Sequence, residues 1–523
     1  MRYTKKKSVS QKRKAVILLA VLVVVVLLTL AAYQYSELVT AEYRAADSYA
    51  RSSQARAFAA SGVHYVAAIV GNSTNFTNMV NGNSSDNSSL FRDVIVAPSD
   101  QPRFQGRFSI VSPLGPDDTA TTVNPFHFGL TDESGKININ ALMKLDPTGQ
   151  KAHDVLMNLP NMTEEIANSI LDWIDADDTP RSSGAENDYY SGLSPPYRCK
   201  NGPLDSPEEM LLIKGITPSL FLGNDLNRNG ILDPGEDDGT GVVSQGWSAY
   251  VTVYSRELNL ANDGSPRIYI NDSDLNSLYT NLETPLGPDM ANYVIMARLY
   301  GLTQSQPGAK RAATLSGAAR SRGMAQSTQD RNSGQRRPQP ISSLYDLINS
   351  TVTIPASSPQ DQPVIYPSPL QDAGTLKQLL PILLDKTTRV NSPELPARIN
   401  VNTAPRAVLS ALLPTFNLTD TDVQTIFDHR PSPNSADAND PIFQTPAWLI
   451  TEANFLPTNM SALDQYVTAS SLVYRIQSIG YFDGGGPTAR IEAVIDGNNQ
   501  RPRIVSWRDL TELGKGFDIG GPQ

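Results

Sequence analysis

Residues 15–70 read AVILLAVLVVVVLLTLAAYQYSELVTAEYRAADSYARSSQARAFAASGVHYVAAIV. The first 18 of them, residues 15–32, carry no charge and a single hydroxyl, that of Thr29. Such a run is just long enough to cross a bilayer as a helix. No Pro precedes Pro98 and no Gly precedes Gly62, and good helix formers fill the second half. We therefore predict one continuous helix, about 80 Å long at the usual helical rise.

The second half of this helix, residues 33–70, carries an amphipathic pattern. Mostly small residues recur there at spacings of three and four. The predicted stripe consists of Leu38, Ala41, Ala45, Tyr49, Ser53, Ala57, Ala60, Val63 and Ala67. A membrane helix that runs directly into an amphipathic helix is typical of pilins. The alternative is an ordinary membrane anchor followed by a coiled-coil stalk.

Positive charge precedes the apolar run. Residues 1–14 hold seven Lys and Arg side chains, which favours a cytoplasmic N-terminus and an external location for everything after the membrane. A cleaved signal peptide is the alternative, but its apolar region is usually shorter and a small-residue cleavage site should follow. Here AAYQYSELV closes the run and the helical pattern continues. The chain is therefore predicted to cross the membrane once.

The composition predicts several folded domains. The chain has 523 residues, of which 40% are hydrophobic and 18% charged, enough apolar material for substantial cores. The net charge is −10, and basic residues cluster at 1–14 and 310–337. A duplex-binding basic face is therefore not expected, whereas acidic loops suit divalent cations. The single cysteine, Cys199, excludes an internal disulfide, so a metal is the candidate staple.

Two segments echo each other. KININALM at 136–143 resembles RINVNTAP at 398–405, and each precedes a pair of helical stretches, which indicates duplicated architecture. The pairs resemble helix-hairpin-helix elements, which bind DNA through a Gly-rich turn. Here the turns read LPNMT and LPTFN, without Gly, so packing against protein is favoured over DNA binding.

Other stretches have simpler patterns. Residues 71–89 are polar and are predicted to form a loop. Residues 303–342 hold seven Lys and Arg, one Asp and almost no large apolar side chains, which predicts a disordered linker. Residues 470–508 alternate between apolar and polar, which predicts an antiparallel sheet.

A calcium-binding pattern occupies residues 225–236, DLNRNGILDPGE. Oxygen-bearing groups fall at loop positions 1, 3, 5, 7, 9 and 12, which is the ligand order of the EF-hand loop. They are Asp225, Asn227, Asn229, the backbone of Ile231, Asp233 and Glu236. Gly230 stands at position 6, where the loop turns sharply. DDGTGV follows instead of an exit helix, so we predict a static Ca²⁺ site.

A second acidic stretch, DWIDADDTPRSSGAENDYY at 172–190, lacks a fixed template. Its carboxylates indicate either a second hard-cation site or a solvated acidic loop. The candidate ligands are Asp175, Asp177, Asp178, Glu186 and Asp188.

Catalytic signatures are missing from the sequence. The four His residues have no metal-ligand spacing, and the chain has no nucleophile elbow, phosphate loop or dinucleotide fingerprint. Cys199 lies in PPYRCKNG with no apparent base beside it. We therefore do not expect an enzyme.

Four stretches together resemble the K-type minor pseudopilins of bacterial type II secretion systems. They are QARAFAASGVHYV (54–66), DESGKININ (132–140), residues 166–216, and INVNTAPRAVLSALLP (399–414). The resemblance implies a pilin-like helix and sheet with an inserted α-domain that binds calcium. It also implies an inner-membrane protein with a periplasmic bulk, which caps the pseudopilus tip and assembles with other minor pseudopilins through its N-terminal helix. Secreted cargo is a further possible partner.

The chain departs from this family at its N-terminus. Family members usually have Gly before the prepilin-peptidase cut, whereas the cut here would fall between Lys14 and Ala15. The fifth residue after the cut is Glu in major pseudopilins and Leu19 here. The K-type family also lacks this Glu, which fits a subunit at the filament tip. Residues 272–397 do not follow the family pattern.

The predicted fold class is α+β: a long pilin-like helix, an antiparallel pilin-type sheet and a large inserted, mainly helical domain. The predicted segments are a cytoplasmic leader (1–14), a transmembrane segment (15–32), the amphipathic half-helix (33–70), a loop with the first strands (71–135), a helical domain with the calcium loop (136–245), strands and a helix (246–302), a disordered basic linker (303–342), an insertion (343–397), the second helical copy (398–465) and C-terminal antiparallel strands (466–523). The alternatives are a membrane-anchored, calcium-stabilised adhesion or binding protein and an anchored DNA-binding helix-hairpin-helix protein.

Overall fold

A computed structural model of the chain describes residues 8–72, 76–118, 125–304, 317–334, 336–356, 362–431, 440–498 and 501–519. The fold is α+β, as predicted, with a long N-terminal helix, an antiparallel sheet and a large helical region. The α-helices are α1 Ser8–Val70, α2 Phe76–Met79, α3 Ser88–Phe91, α4 Ile139–Leu145, α5 Gln150–Met157, α6 Glu164–Ile174, α7 Asn187–Ser191, α8 Pro218–Leu222, α9 Leu275–Tyr300, α10 Gly317–Ser333, α11 Ala373–Lys386, α12 Arg406–Leu412, α13 Asp420–His429, α14 Trp448–Thr451 and α15 Pro457–Leu463. The strands are β1 Val94–Ala97, β2 Gly106–Pro113, β3 Phe126–His127, β4 Thr131–Asp132, β5 Ile137–Asn138, β6 Val251–Thr252, β7 Glu257–Leu258, β8 Ile268–Tyr269, β9 Thr303–Gln304, β10 Ser350–Ile354, β11 Val364–Pro367, β12 Thr387–Thr388, β13 Glu394–Leu395, β14 Ile399–Asn400, β15 Val467–Thr468, β16 Val473–Phe482, β17 Ala489–Asp496 and β18 Arg503–Asp509.

Helix α1 is unbroken over 63 residues, which confirms the predicted continuous helix and its end at Val70. Among the described residues it is the one helix long and apolar enough to cross a membrane. Residues 16–32 of α1 pack against no other part of the chain that the structure describes, and their side chains are exposed. The helix therefore fits a single-pass membrane anchor.

The C-terminal part of α1 packs on an antiparallel sheet. The strand order is β1-β2-β16-β17-β18, and β3 and β4 pair with β2 and β16. The antiparallel strands predicted at 470–508 correspond to β16, β17 and β18. Residues 71–89, predicted to be a loop, contain the single-turn helix α2 and the start of α3, and residues 73–75 lie outside the described residues. The sheet thus joins strands from both ends of the chain around one helix.

The face of α1 that meets the sheet differs from the predicted stripe. The fully buried apolar residues on it include Ala55, Ala59, Val63, Val66 and Val70. Of the predicted stripe, Val63 and Ala67 are buried on this face, whereas Ser53 and Ala57 are exposed. Phe58 determines instead which face of α1 meets the sheet. Its ring lies against Gly106 of β2, and a Cβ atom on Gly106 would come within 2.3 Å of the ring.

Glycines allow a very close approach between α1 and β16. A Cβ atom on Gly480 would lie 2.1 Å from the carbonyl oxygen of Ala55 and 2.5 Å from the amide nitrogen of Ala59. On the helix side, a Cβ on Gly62 would lie 2.2 Å from Oγ of Ser478. The helix backbone therefore rests directly on the strand, with no side chain between them.

The helical region contains both echoed segments. β5 opens the first copy and pairs in parallel with β6, and β14 opens the second and pairs in parallel with β15. Helices α5 and α6 form the first hairpin, α12 and α13 the second. The copies meet where α5 packs against α12, and the Asn158 amide donates to the Ala411 carbonyl at 3.2 Å.

Residues 272–397 join the same core as the two copies. Side chains from α9, β10 and α11 share one apolar cluster with those of α6 and α12. The prediction of a disordered linker over 303–342 is wrong for residues 317–333, which form α10. Polar and aromatic contacts hold α10 on α9: the Arg331 guanidinium lies 4.5 Å from the Tyr279 ring, and the Tyr300 hydroxyl donates to Asp330 at 2.7 Å. Residues 305–316 of that linker lie outside the described residues.

Substituting Gly480→Ala tests the contact between α1 and β16. The added methyl group would collide with helix backbone, which cannot rotate away, so we expect the free energy of unfolding to fall by about 1–3 kcal/mol. Thermal unfolding of the full chain in detergent measures the effect. The matched control is Gly202→Ala, because the nearest atom to its Cβ would be 3.8 Å away. Equal melting temperatures for the two variants would contradict this packing.

Candidate metal centre

The loop at residues 225–236 has the sharp turn that its sequence predicts. The backbone is left-handed at Arg228 and at Gly230, with φ of +62° and +67°. A Cβ atom on Gly230 would also lie 2.7 Å from Cβ of Pro113, so only glycine fits there. The Asp225 carboxylate accepts hydrogen bonds from the amides of Asn229 and Gly230 at 3.0 and 2.9 Å. The first residue of the loop therefore closes the turn.

The other predicted ligands lie in the same closed loop. The Glu236 carboxylate accepts from the Asn227 amide at 3.0 Å and from the Asp233 amide at 3.4 Å. The side-chain amides of Asn227 and Asn229 donate to Oδ2 of Asp233 at 2.6 and 3.0 Å. The Ile231 amide donates to Oδ1 of Asn229 at 2.8 Å. The structure thus brings together all six residues of the predicted site.

The loop concentrates negative charge. Within the described residues, Asp225, Asp233 and Glu236 form no ion pair with a Lys or Arg side chain. Asp225 is 4% exposed, and its burial, followed by the charge of Glu236, raises the pKa of its carboxyl. A bound cation would relieve both effects, so the residues present fit a hard divalent ion.

Carboxylates alone do not make this centre. Nowhere in the described ranges do three or more His, Cys, Asp or Glu side chains form a group that can hold a metal ion. An ion in the loop therefore needs the Asn227 and Asn229 amide oxygens and the Ile231 carbonyl in addition to the acids. Mixed ligand sets of this kind are ordinary for calcium.

The loop is fastened to the sheet from outside. Arg490 of β17 donates to the Asn227 carbonyl at 2.5 Å, and Gln477 of β16 donates to the Arg228 carbonyl at 2.7 Å. Sequence reasoning missed both residues, because they lie about 250 residues further along the chain and no local pattern marks them. The sheet therefore fixes the loop's backbone.

The second acidic stretch surrounds an arginine. Arg181 donates to the carboxylates of Asp172 and Asp175 at 2.8 and 2.5 Å. Neither Arg181 nor Asp172 was among the predicted residues, although both stand in the quoted stretch. Asp177 accepts from the Thr179 amide at 2.9 Å, and Asp188 is exposed. These two acids behave as ordinary surface groups.

Glu186 is different, because its carboxylate is buried and, among the described residues, accepts no hydrogen bond from a nitrogen or a hydroxyl, while the Cys199 thiol lies beside it. Burial, together with the charges of Asp172, Asp175 and Asp178, raises its pKa to about 7. The Asp178 carboxylate accepts from the side-chain amides of Asn187 and Asn201 at 2.6 and 3.1 Å. The charges of Asp175 and Asp178 thus act on Glu186, but Arg181 pairs with Asp175, and among the described residues these carboxylates do not form a group that can hold a metal ion by themselves.

A chain of ion pairs leads from the loop at 225–236 across the sheet. Arg228 and Arg508 both contact Glu208, at 3.1 and 2.7 Å. Arg475 of β16 bridges Glu492 of β17 at 2.9 Å and Glu133 at 2.7 Å. Glu133 and Glu492 are buried. This network connects Glu133, which lies just before the helical region, to the sheet and to the loop.

The four histidines lie in four separate places. His127 stands between Asp118 and Asp86, at 3.4 and 3.7 Å. His64 lies beside Trp507, His153 beside Asp154, and His429 contacts the Thr425 carbonyl. No two of these histidines belong to one constellation, so they cannot form a shared His metal site.

Two segments match family models described as type II secretion system (T2SS), protein K. The matched residues are 135–223 and 399–449. They contain the echoed helix pairs and the whole of the second acidic stretch, and the loop at 225–236 begins just after the first match. The predicted resemblance to protein K is therefore confirmed over both segments.

Curated relatives carry the same description. The putative type II secretion system protein K of Escherichia coli (strain K12) is 36% identical over 109 residues, which cover 19% of this chain and 33% of that protein. Type II secretion system protein K of Pectobacterium carotovorum subsp. carotovorum is 34% identical over 106 residues, 20% of this chain and 30% of that protein. The chain thus spans about a third of the length of the curated relatives it matches.

Among solved structures, one similar chain comes from the crystal structure of the GspK-GspI-GspJ complex from the type 2 secretion system of enterotoxigenic Escherichia coli. The alignment covers 87% of this chain and 98% of that chain, with 12% sequence identity and a TM-score of 0.36.

The ion network predicts that the stability of the fold depends on pH through the ionisation of Glu133. Burial alone would raise the pKa of Glu133. The charges of Arg475 and Lys136 and the hydrogen bonds from Arg475 and Thr252 outweigh this effect and lower the pKa from 4.5 to about 2. Its contribution is therefore complete above pH 4.5 and is lost as the pH falls towards 2. We expect Glu133→Gln to cost about 3–5 kcal/mol at pH 7 and progressively less below pH 4.

Melting temperatures of the full chain from pH 7 to pH 3 test this expectation. The control is Glu512→Gln, at an exposed glutamate that follows β18. Its melting temperature should equal that of the wild type at every pH. A constant gap between Glu133→Gln and the wild type across this range would contradict the assigned role.

Proposed function

We propose that this chain is a structural minor pseudopilin of a type II secretion system, which caps the tip of the periplasmic pseudopilus and helps to initiate its assembly. The observation that carries the proposal is the connection of two protein K segments to one unbroken helix. Helix α1 runs from an exposed apolar half into the sheet, and the helical region is attached to that sheet. The chain's role is assembly, not catalysis.

The proposed location is the inner membrane, crossed once. The seven positive charges at 1–14 favour a cytoplasmic N-terminus, so the sheet and the helical region lie in the periplasm. Processing between Lys14 and Ala15 is part of this proposal, and both residues lie within α1. Leu19 places no carboxylate in the bilayer, so the helix needs no amine from a subunit above it. This supports a position at the tip.

The proposed partners are other minor pseudopilins, which would pack along α1. The part of the helix between the membrane and the sheet exposes large side chains, Leu38, Tyr43 and Tyr49 among them. Exposed apolar groups at this position gain free energy when a neighbouring helix covers them. A partner is therefore expected on the free length of α1.

Nucleic acid is not a proposed partner. The first turn of α6 carries Glu164 and Glu165, and that of α13 carries Asp420 and Asp422. These acids satisfy the positive ends of the helices and repel phosphate. The hairpins instead pack against each other inside the helical region.

Calcium at residues 225–236 is the second part of the proposal. Asp225, Asp233 and Glu236 would supply carboxylate oxygens, Asn227 and Asn229 amide oxygens, and Ile231 its carbonyl. The bound ion would neutralise the loop and hold it against the sheet. Asp175, Asp178 and Glu186 do not by themselves form a group that can hold an ion, and Arg181 already pairs with Asp175, so the proposal includes no second ion.

Co-purification tests the assembly role. The full chain, expressed with the other minor pseudopilins of its secretion system, should capture them from detergent extracts. We expect Leu38→Arg to reduce capture about tenfold, because a charge replaces an apolar contact worth about 1.5–3 kcal/mol. Thr40→Arg is the matched control, since it points to the opposite side of α1. Capture of no pseudopilin by the wild type would favour the alternative, an anchored adhesion protein.

Calcium titration tests the metal site. A ligand at 100 times its dissociation constant stabilises a protein by about 2.7 kcal/mol, so chelation should lower the melting temperature of the wild type. Glu236→Gln should abolish most of this shift, whereas the neighbouring Asp237→Asn should preserve it. Calorimetry should find one ion in the wild type and in Glu186→Gln, and none in Glu236→Gln. Absence of any calcium-dependent shift would contradict the site.

A further inference from the structure

The C-terminal segment, residues 510–519, returns along the sheet after β18. The Leu510 amide donates to the Arg490 carbonyl at 2.8 Å, and the segment then crosses the sheet face opposite α1. Phe517 and Ile519 are 1% and 3% exposed. They fill a small apolar pocket whose other members are Val111, Phe126, Ile479 and Tyr481. The last described turn of the chain is therefore anchored, not free.

One wall of this pocket is the calcium loop. The half-buried Ile231 of the loop packs against the apolar pocket. The Asn229 side-chain amide donates to the Gly516 carbonyl at 2.7 Å, so a residue of the loop holds the backbone of the segment directly. Loop and segment thus share both an apolar and a polar contact.

Arg490 lies between the loop and the segment. Its guanidinium donates to the Asn227 carbonyl, and its Cζ atom lies 5.8 Å from the centre of the Phe517 ring. Gly516 has φ of +74°, and a Cβ atom there would lie 1.8 Å from Nη1 of Arg490. The segment therefore fits over the arginine only with glycine at this position, and a shift of the loop would move the arginine that supports it.

We propose that the C-terminal segment is part of the calcium site: the loop and residues 510–519 close as one unit, and Phe517 acts as a positioning residue for calcium binding. The proposal rests on the calcium site proposed above. Without an ion, the carboxylates of Asp225, Asp233 and Glu236 repel one another. This repulsion weakens the contacts that Asn229 and Ile231 make with the segment. Because linkage is reciprocal, docking of the segment must raise calcium affinity by the same factor by which calcium favours docking.

Calcium affinity of the full chain in detergent tests this coupling. The relevant binding step is the one that Glu236→Gln abolishes. We expect Phe517→Ala to weaken that step about tenfold, within the usual range of coupling between sites. Leu513→Ala is the matched control, because Leu513 belongs to the same segment but is 44% exposed; it should bind calcium with wild-type affinity.

The outcomes separate the two proposals. If the wild type binds no calcium at the loop, the metal site and the coupling are both wrong. If the wild type and Phe517→Ala bind calcium equally tightly, the metal site stands and the coupling is wrong.

A second measurement decides the matter if Phe517→Ala fails to fold. Hydrogen exchange of the wild-type chain should show the amides of residues 514–519 exchanging at least several-fold more slowly with calcium than with chelator. The amides of β16, which are held by β2 and β17, serve as the internal control. Identical exchange of residues 514–519 in the two conditions would overturn the coupling.

Discussion

The backbone contact between α1 and β16 is the constraint on which the other parts depend. One half of this helix is apolar and exposed, as in a membrane anchor, and the other half packs on a protein core. Only the second half has a fixed orientation, and the glycines at 62 and 480 set it by letting the helix rest on the strand. Side-chain packing tolerates some sliding, whereas a backbone seated in a groove without Cβ atoms does not. The helix therefore transmits its position to the sheet as a rigid unit.

Ion pairs connect that sheet to the helical region and to the loop at 225–236. The helical region is attached at Glu133, whose carboxylate is buried and paired with Arg475 of β16. Through Glu492, Arg508 and Glu208 the same network reaches Arg228 in the loop at 225–236. Buried ion pairs contribute little net stability compared with apolar packing, but breaking one is costly. They consequently favour one relative placement of sheet and helical region over its alternatives.

Local patterns in the sequence were sufficient for part of this structure. The unbroken helix, the C-terminal strands and the loop at 225–236 follow from composition and spacing within a few dozen residues. The buried face of α1 did not, because small residues occur on several sides of the helix and only the position of Phe58 on Gly106 selects one. Helix α10 was missed because its contacts are cation–π and hydrogen bonds to α9, which composition does not reveal. Arg490 and Gln477 support the loop from strands far along the chain, so no local motif marks them.

The chain's only cysteine does not cross-link its loops. Cys199 is buried, its thiol donates to the Asp172 carbonyl at 3.7 Å, and burial raises its pKa to about 12. A thiol held in this way forms almost no thiolate and is therefore a poor partner for disulfide exchange. Loops as long as residues 223–246 consequently depend on other contacts. The hydrogen bond from the Asn229 side chain to the Gly516 carbonyl is such a contact, and it joins residues 287 positions apart without any covalent bond.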